Sequence, residues 1–502
     1  MGEAANVTGA AVRVLAETRV APAPTPAESG AGEGGGRVKL SFFDTPWVVL
    51  PPIQRVFLYA LPAGAEDDGE FHAAVTRLKD SLAATLALYL PLAGKLAYVA
   101  ETGDMFIDCA DDPGVTFIEA EASAAGDAGG VGGGMDFRRL AADEVHDIPA
   151  FLSLVPPLDT RVLPVPVLSV QATRLPSSGG GGGIALGVSV HHAVADGQAV
   201  WRFVSAWAAA ARDGGSGSPV AKAAALAPPH YDRSVVQVPG GDEFAREMLR
   251  KVAPNLPVAS TIKDFDFSQR FQLGRRTFYL AADDIQSLKR RIDALAAAEE
   301  ESTPTAGEHT TTTTKKTTKP VSTFVALAAL GWTAFVRAKS LTAGDDTYLV
   351  FLADLRTRLD PPVADGYLGN CIKGCLASAD AGDLAGERGI LAACRAVQAA
   401  VAEMEAAPLG GTERWIQKMM TLPFQRLCNV AASPRFRVYE ASDFGFGRPV
   451  RVELVSMNHD GEMVLVGGRG DGEVQVSVSL DPARMEVFKA HVLAVADPAP
   501  AK

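Results

Sequence analysis

The segment Gly187–Gly197, GVSVHHAVADG, places two of the chain's eight histidines side by side after an apolar run, with an aspartate four residues beyond the second. A neutral imidazole near pH 7 can take a proton from a hydroxyl. It can also ligate a metal, or pack and hydrogen-bond inside a core. A metal would need a third ligand. Asp196 offers one, but no HExxH pattern or second histidine cluster follows, so no metal site is expected. The proton-transfer reading makes one histidine a general base and gives Asp196 the task of holding the loop. Gly197 then lets the chain turn without a Cβ penalty. The residue types alone leave packing and proton transfer both open.

The surrounding elements follow from periodicity. VLSVQATRL and IALGVSV are short apolar or alternating runs on either side of the turn SSGGGGG (Ser177–Gly183), and they predict a hairpin. HHAVADG is then the turn from a strand into a helix, where rigid scaffolds commonly present reactive side chains. In QAVWRFVSAWAAAAR, the residues Val200, Phe203, Val204, Trp207, Ala208 and Ala211 share one helical face. Phe71–Tyr89 carries the same spacing. Farther along come a helix at Ser322–Ala338, a strand TYLVFLADLR, and a closing VQVSVSL followed by PARMEVFKAHVLAV. The class is α/β, or α+β with mixed sheets. Ala120–Gly134 and Arg212–Pro229 read as loops, and the low-complexity stretch 300–320 as a disordered one.

A chain of 502 residues exceeds one ordinary core, so two domains are expected. A net charge of −12 argues against general nucleic-acid binding, which needs clustered Lys and Arg. Five scattered cysteines, odd in number and without a CxxC pair, fit a reducing compartment. The first residues lack the apolar core of a signal peptide, and Asn6 breaks the myristoylation pattern. The apolar stretch Phe324–Val336 is too short to span a bilayer. The expectation is a cytosolic protein that binds neither membrane nor nucleic acid.

Two distant motifs carry a resemblance. HHAVADG resembles the HxxxDG signature of the BAHD family of plant acyl-CoA-dependent acyltransferases, and DFGFG (Asp443–Gly447) resembles that family's DFGWG. KLSFFDTPWVVLPPIQRVFLY is similar to its opening strand, YLPLAGKL to its YPLAGRL segment, and VSTFVALAALGW and ADLRTRLDPP to its C-terminal helix and strand. YLGNC (Tyr367–Cys371) resembles YFGNC, the mark of a clade acting on anthocyanins, flavonoid glucosides and related phenolic glycosides, many with malonyl-CoA. Leu368 and Phe446 depart from these patterns, and both keep a large apolar group.

The resemblance implies two similar-sized domains of chloramphenicol-acetyltransferase-like topology with a channel between them. The expected division is 1–211 with the HxxxD loop, a crossover at 212–245, and 246–502 with DFGFG. It makes His192, not His191, the base, Asp196 the loop-orienting residue, and Asp443 a structural one. Acyl-CoA is the expected co-substrate, malonyl-CoA by the clade, with a phenolic glycoside as acceptor and no cofactor permanently bound; a hydroxycinnamoyl-CoA donor, or a non-catalytic ligand-binding relative, is the alternative. The enzyme is expected to act as a monomer.

DLRTRLD offers Arg356 and Arg358, which on a strand would face opposite sides. One could pair with Asp196 and the other with Asp443, or both could be solvated. Tyr367 and Asn370 are expected to be structural, and Gly445 and Gly447 to form a tight turn. Ser322 and Thr323 could meet CoA through hydroxyls and helix N-terminal amides, or could be plain N-caps. Lys315, Lys316 and Lys319 fit a solvated loop. Arg174 is a candidate cation for the free carboxylate of a malonyl group.

Overall fold

The computed structural model describes residues 12–24, 36–61, 68–123, 135–142, 145–177, 180–212, 218–224, 228–236, 238–259, 272–302, 320–412 and 415–496. Lys315, Lys316 and Lys319, with most of the 300–320 stretch, lie outside the described residues. The chain divides into two compact units. The first comprises Met1–Phe271, Asp354–Ile372 and Arg437–Met457, and the second comprises Gln272–Ala353, Lys373–Phe436 and Asn458–Lys502. The units therefore do not follow chain order. The crossover expected at 212–245 falls inside the first, and two later segments, one with Arg356 and YLGNC and one with DFGFG, belong to it as well.

The first unit is built on a mixed six-stranded sheet in the order Val12–Val20, Val115–Ala122, Leu168–Leu175, Gly183–Val190, Ile53–Ala60, Arg451–Glu453. The expected hairpin is present, with Leu168 opposite Val190 and Leu175 opposite Gly183. Its second strand is buried along its whole length, as its nearly unbroken apolar sequence requires of a strand covered on both faces. On the adjacent strand Ile53–Ala60 the side chains alternate with period 2. Val56 and Leu58 enter a core with Phe137, Leu140, Phe151, Leu154 and Ala185. Phe57 lies on the other face, edge-on to Trp201 of the helix Gly197–Ala211. That helix packs on Asp68–Leu86, where the Trp207 indole donates to the Leu78 carbonyl (3.1 Å) and the Ser81 hydroxyl (3.0 Å).

The stretch similar to an opening strand is a strand at Lys39, the end of Arg37–Lys39, and again only from Ile53. Ser41–Trp47 is instead a turn running into a short 3₁₀ helix, because the Asp44 carboxylate captures the Ser41 amide (2.9 Å) and hydroxyl (2.7 Å) and Pro46 opens the helix. Similarly, the strand expected to reach Arg356 ends at Asp354. There the Asp354 carboxylate takes the Arg356 amide (3.1 Å) and residues 355–359 turn, so Arg356 and Arg358 are not opposite faces of a strand.

In the second unit a mixed six-stranded sheet runs Gly274–Leu280, Val474–Leu480, Glu462–Gly467, Leu427–Ser433, Asp346–Asp354, Ile372–Asp380. The helix Thr323–Ala338 is buried nearly all round, which suits its uniformly apolar sequence. Its Trp332 indole donates to the Thr347 hydroxyl at 3.1 Å. No described helix is long and apolar enough to cross a membrane.

Gly187 shows how tightly the first sheet is covered. A Cβ there would lie 2.0 Å from the Leu154 carbonyl oxygen, and that oxygen is backbone and cannot swing away. Gly187→Ala is expected to destabilise the chain by about 1–3 kcal/mol through overpacking, read as a lower urea midpoint. An unchanged midpoint would contradict this packing.

Candidate active site

The strand Gly183–Val190 delivers both histidines, and the turn then separates their environments. The His191 amide continues the sheet by donating to the Val167 carbonyl (2.8 Å), and its side chain is fully buried. Its Nδ1 accepts the Ala193 amide at 3.2 Å, so the ring proton sits on Nε2. Burial, with the neighbouring His192 adding to it, pushes His191 down to about 3. It is a neutral packed residue.

His192 keeps partial exposure. Its ring lies on the Trp47 indole, with centroids 4.3 Å apart and planes within 10°. Its carbonyl accepts the Asn370 side-chain amide at 2.9 Å. Nδ1 is enclosed, which leaves Nε2 as the nitrogen that an incoming hydroxyl can reach. Burial among protein atoms pushes His192 down to about 4; the Arg55 charge adds to this, while its own carbonyl, the Asp196 charge and the Asn370 amide oppose it. The ring is therefore neutral at pH 7 and able to accept a proton.

Asp196 faces away from that ring. It caps the helix Gly197–Ala211, its Oδ1 taking the Ala199 amide at 3.0 Å. Oδ2 takes the Cys371 amide at 3.0 Å. The Arg356 guanidinium closes on both oxygens, at 2.9 and 3.1 Å. Both oxygens are thus committed within the protein. The same two terminal nitrogens of Arg356 also reach Asp354 Oδ1 (3.0 Å) and the carbonyls of Gly369 (3.1 Å) and Tyr367 (3.3 Å). Burial would lower the Arg356 guanidinium, but Asp196 holds it above the ordinary range. The pair unites residues 160 positions apart and fixes the YLGNC segment against the histidine turn.

A second buried carboxylate, Asp44, works beside the first. It accepts the Asn370 backbone amide (2.9 Å), the Asn370 side-chain amide (3.0 Å) and Arg233 Nε (3.1 Å). Arg233 also donates to the carbonyls of Val194 and Leu368, and both its guanidinium and that of Arg356 lie against the Tyr367 ring. Asp44, Trp47 and Arg233 do not emerge from motif spacing. The one signal available is a charged residue inside the apolar FFDTPW, which costs too much to bury without partners.

DFGFG forms a turn in which the Gly445 amide donates to Asp443 Oδ1 (2.9 Å), with Gly445 and Gly447 at φ of 90° and 84°. Phe444 is fully buried against Trp207, and Phe446 sits between Tyr59 and Arg77. The expected Asp443–arginine pair is not formed: Arg358 donates to the Asp354 carbonyl at 2.7 Å, while Asp443 meets the Gly445 amide. In the second unit, Ser322 is the N-cap of its helix, accepting the Val325 amide at 3.2 Å, and Thr323 is the first helical residue. Arg174 does not suit a substrate carboxylate, because its guanidinium is engaged by Glu121 at 2.9 Å.

A family model described as the Transferase family matches residues 24–494. The chain belongs to this transferase family, the BAHD family. The transferase is 29% identical to malonyl-coenzyme:anthocyanin 5-O-glucoside-6'''-O-malonyltransferase of Salvia splendens, over 92% of this chain and 93% of that one. It is 28% identical to phenolic glucoside malonyltransferase 2 of Arabidopsis thaliana, over 90% and 92%. The vinorine synthase crystal structure superposes with a TM-score of 0.63 over 97% of this chain and 98% of that chain at 19% identity, a likeness of fold.

Removing Arg356 from the transferase would strand the Asp196 charge in the interior. Arg356→Ala is expected to destabilise by about 3–5 kcal/mol, and the exposed Arg358→Ala by much less. Equal losses in urea unfolding would show that the pair does not hold the turn.

Proposed function

We propose that the chain transfers a malonyl group from malonyl-CoA to a sugar hydroxyl of an anthocyanin or other phenolic glucoside, with His192 as general base. The placement of His192 carries the reading: a neutral ring, one nitrogen enclosed and the other reachable, held at its carbonyl by Asn370. The malonyltransferase relatives, alike along nearly their whole length, and the YLGNC segment support the donor and acceptor class.

An acceptor hydroxyl is a weak nucleophile at pH 7. As its oxygen forms a bond to the thioester carbonyl carbon, its proton passes to His192 Nε2. The tetrahedral oxyanion collapses, the carbon–sulfur bond breaks, and the imidazolium returns the proton to the departing thiolate. The products are the ester and free CoA thiol, with no acyl-enzyme between them. Holding donor and acceptor together supplies a further share of the rate. Asp196, Arg356, Asp44 and Asn370 position the base, and Asp443 holds the DFGFG turn.

The enzyme is proposed to act as a monomer. Its five cysteines, odd in number and without a CxxC pair, fit a reducing compartment such as the cytosol.

The test is a donor screen with a flavonoid glucoside as fixed acceptor. Malonyl-CoA is expected to give product faster than coumaroyl-, caffeoyl- or acetyl-CoA, and His192→Ala to lower kcat by about 10²–10⁴-fold. Preference for an aromatic donor would reassign the donor class. Undiminished turnover in His192→Ala would overturn the base.

A further inference from the structure

We propose that Trp47 is a positioning residue for the transfer reaction: its indole is the flat support that sets the plane of the His192 imidazole. The inference rests on His192 being the base.

Asn370 holds the backbone of His192 by donating to its carbonyl oxygen, and its side chain also lies near enough to the ring to favour the protonated form. Among the described residues, no hydrogen bond of full geometry reaches either ring nitrogen. The contact that covers a face of the ring is the near-parallel stack on Trp47. An aromatic face sets an angle as well as a distance, and so aims Nε2. Proton transfer depends on that aim, because the accepting lone pair lies in the ring plane.

Trp47 is suited to be a fixed surface. It is 6% exposed, and its Nε1 donates to the Phe43 carbonyl at 2.9 Å, so the indole cannot rotate without losing a buried bond. It ends the 3₁₀ helix Thr45–Trp47, whose preceding residue is Asp44. That carboxylate binds Ser41, Arg233 and Asn370. One short segment thus grips His192 from two directions, through Asn370 at the carbonyl and through Trp47 at the ring face. Chain distance hides this link, since Trp47 precedes His192 by 145 positions.

Trp47→Phe keeps a flat ring, while Trp47→Leu fills space without offering a plane. The leucine variant is expected to lose about tenfold to a hundredfold in kcat, the scale of a small misplacement at a reacting centre, with KM for malonyl-CoA and for the glucoside changed by less than about threefold. The phenylalanine variant is expected to stay within about threefold of the parent. Circular dichroism checks folding, and Trp47→Met takes the place of the leucine variant should that one not fold. In a His192→Ala background, Trp47→Leu should cost almost nothing further, because its effect passes through the missing ring. Unchanged kcat in the leucine variant would overturn the proposal. So would a loss confined to KM, or a phenylalanine variant as impaired as the leucine one. Activity surviving His192→Ala would instead defeat the base itself, a separate result.

Discussion

A carboxylate with no exposure to water cannot remain ionised unless its oxygens are bonded from within. Asp196 meets that condition by taking bonds from the Ala199 amide, the Cys371 amide and two nitrogens of Arg356. The bonds come from three different parts of the local structure: the helix that follows, the YLGNC segment and the turn after Asp354. The geometry of the histidine turn is therefore set by charge satisfaction, and the reactive ring sits four residues back from that anchor. Burial in this protein separates two adjacent histidines into one that packs and one that can react.

The second carboxylate repeats the principle. Asp44 draws in Arg233 and Asn370, and Asn370 then reaches the His192 carbonyl. Acidic groups thus hold the site without touching the chemistry. The arginines are shared in turn, since Arg233 and Arg356 both lie against the Tyr367 ring. Buried networks of this kind are rigid when fully bonded and costly when one member is removed. Under the proposed function, a base held this way needs little reorganisation when an acceptor arrives.

Much of this was legible in the residues. The apolar run before His191, the glycine turn between two strands and the amphipathic run after Gly197 each dictate a local element, and each formed. The residues point to an arginine of DLRTRLD as a partner for Asp196 but leave open whether it is Arg356 or Arg358; the structure selects Arg356. Its neighbour Arg358 was misplaced because a carboxylate at Asp354 ends the strand early, a side-chain capture that periodicity does not register. Asp44 and Trp47 escaped for another reason. Their roles arise from contacts across long chain separations, and the one local signal, a charge inside the apolar FFDTPW, does not say what partners it finds. The two compact units were equally illegible in their boundaries, since late segments return to the first.

The central claim is that a neutral His192 takes the acceptor's proton. Its most direct test is the pH dependence of kcat/KM for the unaltered protein with malonyl-CoA and a flavonoid glucoside. The folded environment favours the neutral ring, so the base form persists as pH falls until the lowered pKa of about 4 is reached. Activity should stay level through the ordinary imidazole value of 6.5 and decline only near 4. A decline centred on 6.5 in fully folded protein would contradict the account, because it would place the titrating base in water instead of behind Trp47.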